Sequence, residues 1–200
     1  MSTSQGFCAI AFKEWAGVCQ ALGEGRQSLI VRKGGIDEGP SGFTPEHQVF
    51  WLYPTYVHQS QQGLRIEPAT STKDSGTESA TSPQEVAIHL FAAVELVEHV
   101  ASEDRLAVLA PFHVWTEETL RKRFAYRRPG LWVLGVRIFH RDPPWTLMPS
   151  PEQLGCKSWV TLEPALSTAG LLPVLDDHAA AHQARLLRAA LGLENDRRRP

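Results

Sequence analysis

Short runs of apolar, β-branched and aromatic residues occupy the middle of this chain, and they do not alternate regularly with helical segments. That order excludes a doubly wound parallel sheet, which needs a helix between successive strands. Residues 131–139 (LWVLGVRIF) form the most convincing strand pattern, and residues 28–32, 47–57 and 158–162 read as further strands. Residues 86–100 fit two patterns: Val86, Ile88, Leu90, Val94 and Leu96 alternate as in a strand, the favoured reading, while Ile88, Phe91 and Glu95 also suit a helix. Two short apolar pieces, 64–67 and 106–109, read as brief strands. Pro54 is expected at a strand end or bulge, because proline cannot donate to a ladder. Helical patterns frame this region. Phe7, Cys8, Ala11, Phe12, Trp15, Val18, Cys19 and Leu22 recur at three- and four-residue spacing, which predicts an N-terminal helix. Asp176 and Asp177 open a C-terminal helix reaching about residue 194, with Leu186, Leu187, Ala190 and Leu191 as its buried side. A third helix starts at Thr116-Glu117-Glu118, a hydroxyl cap followed by two acids, and stops at Pro129-Gly130.

These elements predict one α+β domain over residues 1–200, a mostly antiparallel sheet or partial barrel flanked by N- and C-terminal helices. Residues 69–84 are nearly free of large apolar side chains and read as a solvated polar loop; residues 195–200 read as a frayed basic tail. No uninterrupted apolar run is long enough for a membrane helix. The first residues lack the basic and apolar regions of a signal peptide, and the three cysteines (Cys8, Cys19, Cys156) form no paired spacing. A reduced, cytoplasmic protein follows from this reading. No cofactor motif is present in the chain.

Charge is segregated. Between residues 121 and 141 stand seven basic residues and no acidic one, so the rest holds 13 basic against 22 acidic, a balance of −9. A wholly basic nucleic-acid protein is excluded, but a local electropositive face is not.

Three groups of residues can carry chemistry. Arg32-Lys33-Gly34-Gly35 follows a strand and can present two cations and a glycine-shaped backbone turn to one anion. The competing account is a plain glycine turn beside solvated cations. His47 and His58 flank an aromatic strand that also carries Thr55, and two imidazoles titrating near neutrality can act as acid and base. Hydrogen-bonded structural or surface histidines are the simpler account, and no metal-ligand spacing accompanies them. Arg121, Arg123 and Arg127, in a segment interleaved with Phe124 and Tyr126, can grip phosphates, with Arg137 close by in sequence. Cations at a helix C-terminus complement its dipole, which is the alternative account. Cys156 before Lys157-Ser158 reads as a small buried thiol in a tight turn. Trp15, Trp51, Trp115, Trp132 and Trp159 sit in apolar patterns and are expected in the core.

Five pieces in order resemble one bacterial family. They are Lys13-Glu14-Trp15; Arg32-Lys33-Gly34-Gly35-Ile36; Tyr53-Pro54-Thr55 with His58-Gln59; His113-Val114-Trp115-Thr116; and Gly155-Cys156-Lys157-Ser158-Trp159-Val160. The family is the "domain of unknown function 1802" proteins, and the resemblance spans residues 12–162. It implies no activity and transfers no catalytic role. The strands from 86 to 162 also loosely resemble small RNA-binding barrels of the PUA and ASCH type, a likeness of fold without a diagnostic motif. Three functions follow as expectations. The first is a module for an anionic ligand such as RNA or single-stranded nucleic acid. The others are a histidine-dependent hydrolase or phosphodiesterase and a protein–protein interaction module.

Overall fold

The computed structural model describes residues 6–33, 43, 45–56, 63–65 and 85–193. Gly34, Gly35, His58, the polar loop and the basic tail lie outside them. Seven strands form one mixed sheet: β1 (Phe7–Trp15), β2 (Leu29–Arg32), β3 (Val49–Thr55), β4 (Val86–Val100), β5 (Leu131–Leu147), β6 (Trp159–Ser167) and β7 (Leu172–Pro173). The main path runs β2-β5-β4-β3-β1-β6, with β7 on β5. Among the described residues only β1 and β3 pair in parallel; β1–β6, β2–β5, β3–β4, β4–β5 and β5–β7 are antiparallel. The helices are α1 (Ala16–Gly23), α2 (Glu117–Ala125), α3 (Pro151–Leu154) and α4 (Asp177–Ala190). The chain is thus a single α+β domain built on an open, mostly antiparallel sheet.

Several expectations change. The apolar stripe from Phe7 is not one helix: β1 takes Phe7–Trp15, and α1 begins only at Ala16. β1 lies between β3 and β6, with Ala11, Phe12 and Glu14 all buried, and a strand covered on both faces tolerates an unbroken apolar run. Residues 106–109 join no strand; Ala107–Phe112 is a 3-10 helix with Pro111 inside it. The expected strand at 64–67 is reduced, among the described residues, to a single bridge between Leu64 and Trp115. Leu187 of α4 and Leu191, which caps it, are buried, but Leu186 is exposed. The Thr116 and Asp176 caps form, accepting from the amides of Thr119 and Ala179. Pro54 sits at the penultimate position of β3.

Strand periodicity divides the core into two. Phe12, Phe50, Leu52, Leu90 and Ala92 join the larger cluster with α1, α2 and Leu187 of α4. Their neighbours Ala11, Trp51, Tyr53 and Phe91 join Ile88, Val160 and Leu162 on the other side. The sheet also curls. β2 and β1 are four steps apart in the strand order, which in a flat sheet is about 19 Å at the usual strand spacing. The Arg32 guanidinium at the end of β2 nevertheless donates to the Lys13 carbonyl of β1 and lies 4.5 Å from the Phe12 ring centroid. That contact requires curvature, and the curvature makes the hollow described next.

Candidate anion-binding cleft

Where the ends of β1, β2 and β3 approach the C-terminus of α2 and the turn after α3, a cleft of about 430 Å³ opens. Its walls carry Lys13 and Trp15 from β1, Arg32 and Lys33 from β2 and just beyond, and Thr55 from β3. Arg123 and Tyr126 come from α2 and its cap, and Cys156, Lys157 and Ser158 from the turn. Every charged group lining it is a cation, among the described residues.

Backbone carbonyls hold these cations in place. Lys13 Nζ donates to Gln153 O (2.7 Å) and to Gly155 O. Lys33 Nζ donates to Phe124 O (3.0 Å), Gly130 O (2.8 Å) and Arg128 O, so it closes the last turn of α2 from outside the helix. The chain folds back there through Arg127 (φ 60°) and Gly130 (φ 132°). A Cβ on Gly130 would stand 2.8 Å from the His99 ring, so only glycine fits. Arg123 lies over the Trp15 ring (4.2 Å) and near that of Trp115 (5.4 Å). Thr55 Oγ1 donates to Glu14 O at 3.1 Å.

Desolvation shapes the electrostatics. Burial lowers the Lys13 pKa, opposed by the Cys156 thiol and reinforced by Arg32. Lys33 is lowered by burial too. Arg123 is pushed down to about 10 by burial, with Glu14 opposing and Arg32 adding to the shift. Arg123, at about 10, stays charged at neutral pH. Beneath the cleft Glu14 is 1% exposed; its Oε1 accepts from the Trp15 amide (2.8 Å), while Oε2 has no partner. The Arg32 Nε is buried without a partner as well.

The sequence candidates separate. Arg32, Lys33, Thr55 and Arg123 meet in the cleft. Arg121 points outward and pairs with Glu117 (2.8 Å) and Glu103 (3.2 Å). Arg127 is exposed, its guanidinium 5.2 Å from the Tyr126 ring centroid. Arg137 pairs with Asp177 of α4. The His47 ring packs edge-on against Trp159 at 4.8 Å and does not line the cleft. Gly34, Gly35 and His58 lie outside the described residues. The expected burial of Cys156 is overturned: the thiol is exposed at the rim, on a turn whose backbone leaves α3 through Gly155.

Lys13 and Lys157 were not among the candidate binding residues, although both stand in segments that carry the family resemblance. The signal for Lys13 was present, since Lys13-Glu14 puts two charges inside an apolar run. Four of the five segments carrying the family resemblance reach this cleft with at least one residue; the fifth supplies Trp115, under Arg123.

The family profile described as "Domain of unknown function (DUF1802)" matches residues 11–185. The chain belongs to that family. No curated protein matches it. Among solved structures, a point variant of the ASCH protein of Zymomonas mobilis is similar at 11% identity and a TM-score of 0.41, covering 88% of this chain and 94% of that one. No helix of the described residues is long and apolar enough to cross a membrane.

Proposed function

We propose that the chain binds single-stranded nucleic acid, RNA in particular, in the cationic cleft. One observation carries this reading: five cations, Lys13, Arg32, Lys33, Arg123 and Lys157, converge on one hollow beside the rings of Trp15 and Tyr126. Cations attract the phosphate backbone, and aromatic faces stack on bases that a single strand leaves open. Three of the five are fixed by neutral carbonyls, so they are positioned while their charge stays available. A volume of about 430 Å³ lies in the range of small-ligand pockets and suits a nucleotide or two rather than a duplex. On this reading the chain works in the cytoplasm, where thiols such as Cys156 stay reduced.

A gel-shift series with single-stranded RNA, single-stranded DNA and duplex DNA at low salt tests it. The expected result is a shift with single strands that weakens as salt rises and is reduced in a Lys13→Met, Lys157→Met variant. No shift at low salt, or a shift indifferent to both substitutions, would end the proposal.

A further inference from the structure

Past the turn at Gly155, Cys156 and Lys157, the cleft adjoins a second hollow of about 660 Å³ that shares those three residues. Its character is different. Its walls include Met148, Glu152, Gln153, Trp159, Thr161 and Glu163, so two carboxylates face it where the first hollow has only cations. Glu152 stands in the first turn of α3 and Glu163 on the edge strand β6. Neither pairs with a cation among the described residues.

The wall between these carboxylates is built, not loose. Ser150 caps α3 by accepting from the Gln153 amide, while the Gln153 side chain accepts from the Ser150 amide in return. The same Gln153 side chain donates to Thr161 O at 2.8 Å, tying α3 to β6. Lys13 reaches the Gln153 carbonyl from the cationic side, so one residue braces both hollows. The Trp159 ring is fixed against Phe12 (4.7 Å) and Phe50 (5.0 Å).

We infer that the two hollows form one groove for a nucleotide of a single strand. Its phosphate lies among Lys13, Arg32, Lys33 and Lys157, its base lies beyond the turn, and Glu152 and Glu163 favour bases that carry an exocyclic amine. This rests on the nucleic-acid reading above. Charge sets the polarity: a phosphate is drawn to the first hollow and repelled by the carboxylates of the second. Chemistry sets the preference. A carboxylate is acceptor-only, so it accepts from the N4 amine of cytosine and is opposed by the O4 carbonyl that uracil presents at the same position.

The test uses the full chain and two fluorescent RNA probes, oligo(C) and oligo(U), titrated at neutral pH and low salt with anisotropy as the readout. Oligo(C) is expected to bind roughly tenfold tighter, a modest value for one good carboxylate–amine contact. In Glu152→Gln, Glu163→Gln the ratio should fall to within about twofold, through loss of oligo(C) affinity. Lys13→Met should weaken both probes by the same factor. A wild-type ratio near one, a preference for oligo(U), or a ratio that survives the double substitution overturns the base-selecting groove while leaving the nucleic-acid reading in place. Failure of both probes to bind overturns both.

Discussion

Two groups of cations, which adjoin in sequence only at Lys122 and Arg123, end up in opposite electrostatic situations. On the outer face of α2, Arg121 pairs with Glu117 and Glu103, and Lys122 with Glu118. The next residue, Arg123, turns inward onto Trp15 and lines the cleft with Lys13, Arg32, Lys33 and Lys157. A carboxylate partner cancels a cation's field as it fixes its position. A carbonyl fixes the position and leaves the net charge, because it contributes only a dipole. The outer face therefore presents balanced charge to solvent, and the cleft presents a positive potential. Counting basic residues along 121–141 cannot distinguish the two; the partner of each cation does.

The largest expected effect lies away from the cleft, at a buried histidine beside a carbonyl-held cation. Arg65 donates to Ala110 O (2.6 Å) and to His113 O, with no carboxylate partner among the described residues. His113 is 4% exposed, and its pKa is pushed down to about 4, mainly by burial and further by Arg65. The folded histidine thus stays neutral where the unfolded one, at 6.5, takes a proton. Between those values the unfolded chain binds more protons. The contribution is full above about pH 6.5 and is lost as pH falls toward 4, by up to about 3 kcal/mol. Urea midpoints followed from pH 7 to pH 4 should fall accordingly, and His113→Asn should flatten the profile. An unchanged slope in that variant would remove both burial and Arg65 from the account.

Lys33 comes next. Its ammonium serves three carbonyls at the end of α2, so Lys33→Met should destabilise the fold by about 2 kcal/mol, the scale of charged hydrogen bonds in partly buried places. Lys13→Met should weaken single-stranded RNA binding about tenfold, or about 1.4 kcal/mol. The smallest change should come from Arg121→Ala, whose exposed pairs hold it to within about 0.5 kcal/mol in urea unfolding. RNA affinity in that variant should stay within about twofold of the wild type. If Arg121→Ala and Lys13→Met changed RNA affinity equally, the contrast between the two groups would be gone.

Local chemistry was readable in the sequence wherever one residue type dictates one geometry. The Thr116 and Asp176 caps, the long strand after Gly130 and the position of Pro54 are of this kind. The run from Phe7 to Leu22 was not, because a strand buried on both faces and an amphipathic helix offer the same spacing of apolar residues until partners are known. Part of the cleft was legible, as Arg32, Lys33, Thr55 and Arg123 were already candidates. The rest depends on curvature and on a turn 142 residues away from Lys13, whose ammonium reaches the Gly155 carbonyl. No local pattern encodes that meeting.

The salt dependence of RNA affinity addresses the charge of the cleft most directly. Binding of a single strand falls with salt at a slope of about −0.7 per phosphate neutralised, on logarithmic axes. If Lys13 keeps its charge for the ligand, Lys13→Met should make that slope shallower by about 0.7, and Arg121→Ala should leave it unchanged. Equal slopes for wild type and Lys13→Met would mean that the carbonyl-held cation neutralises no phosphate, and would contradict a cleft that reserves its charge for a ligand.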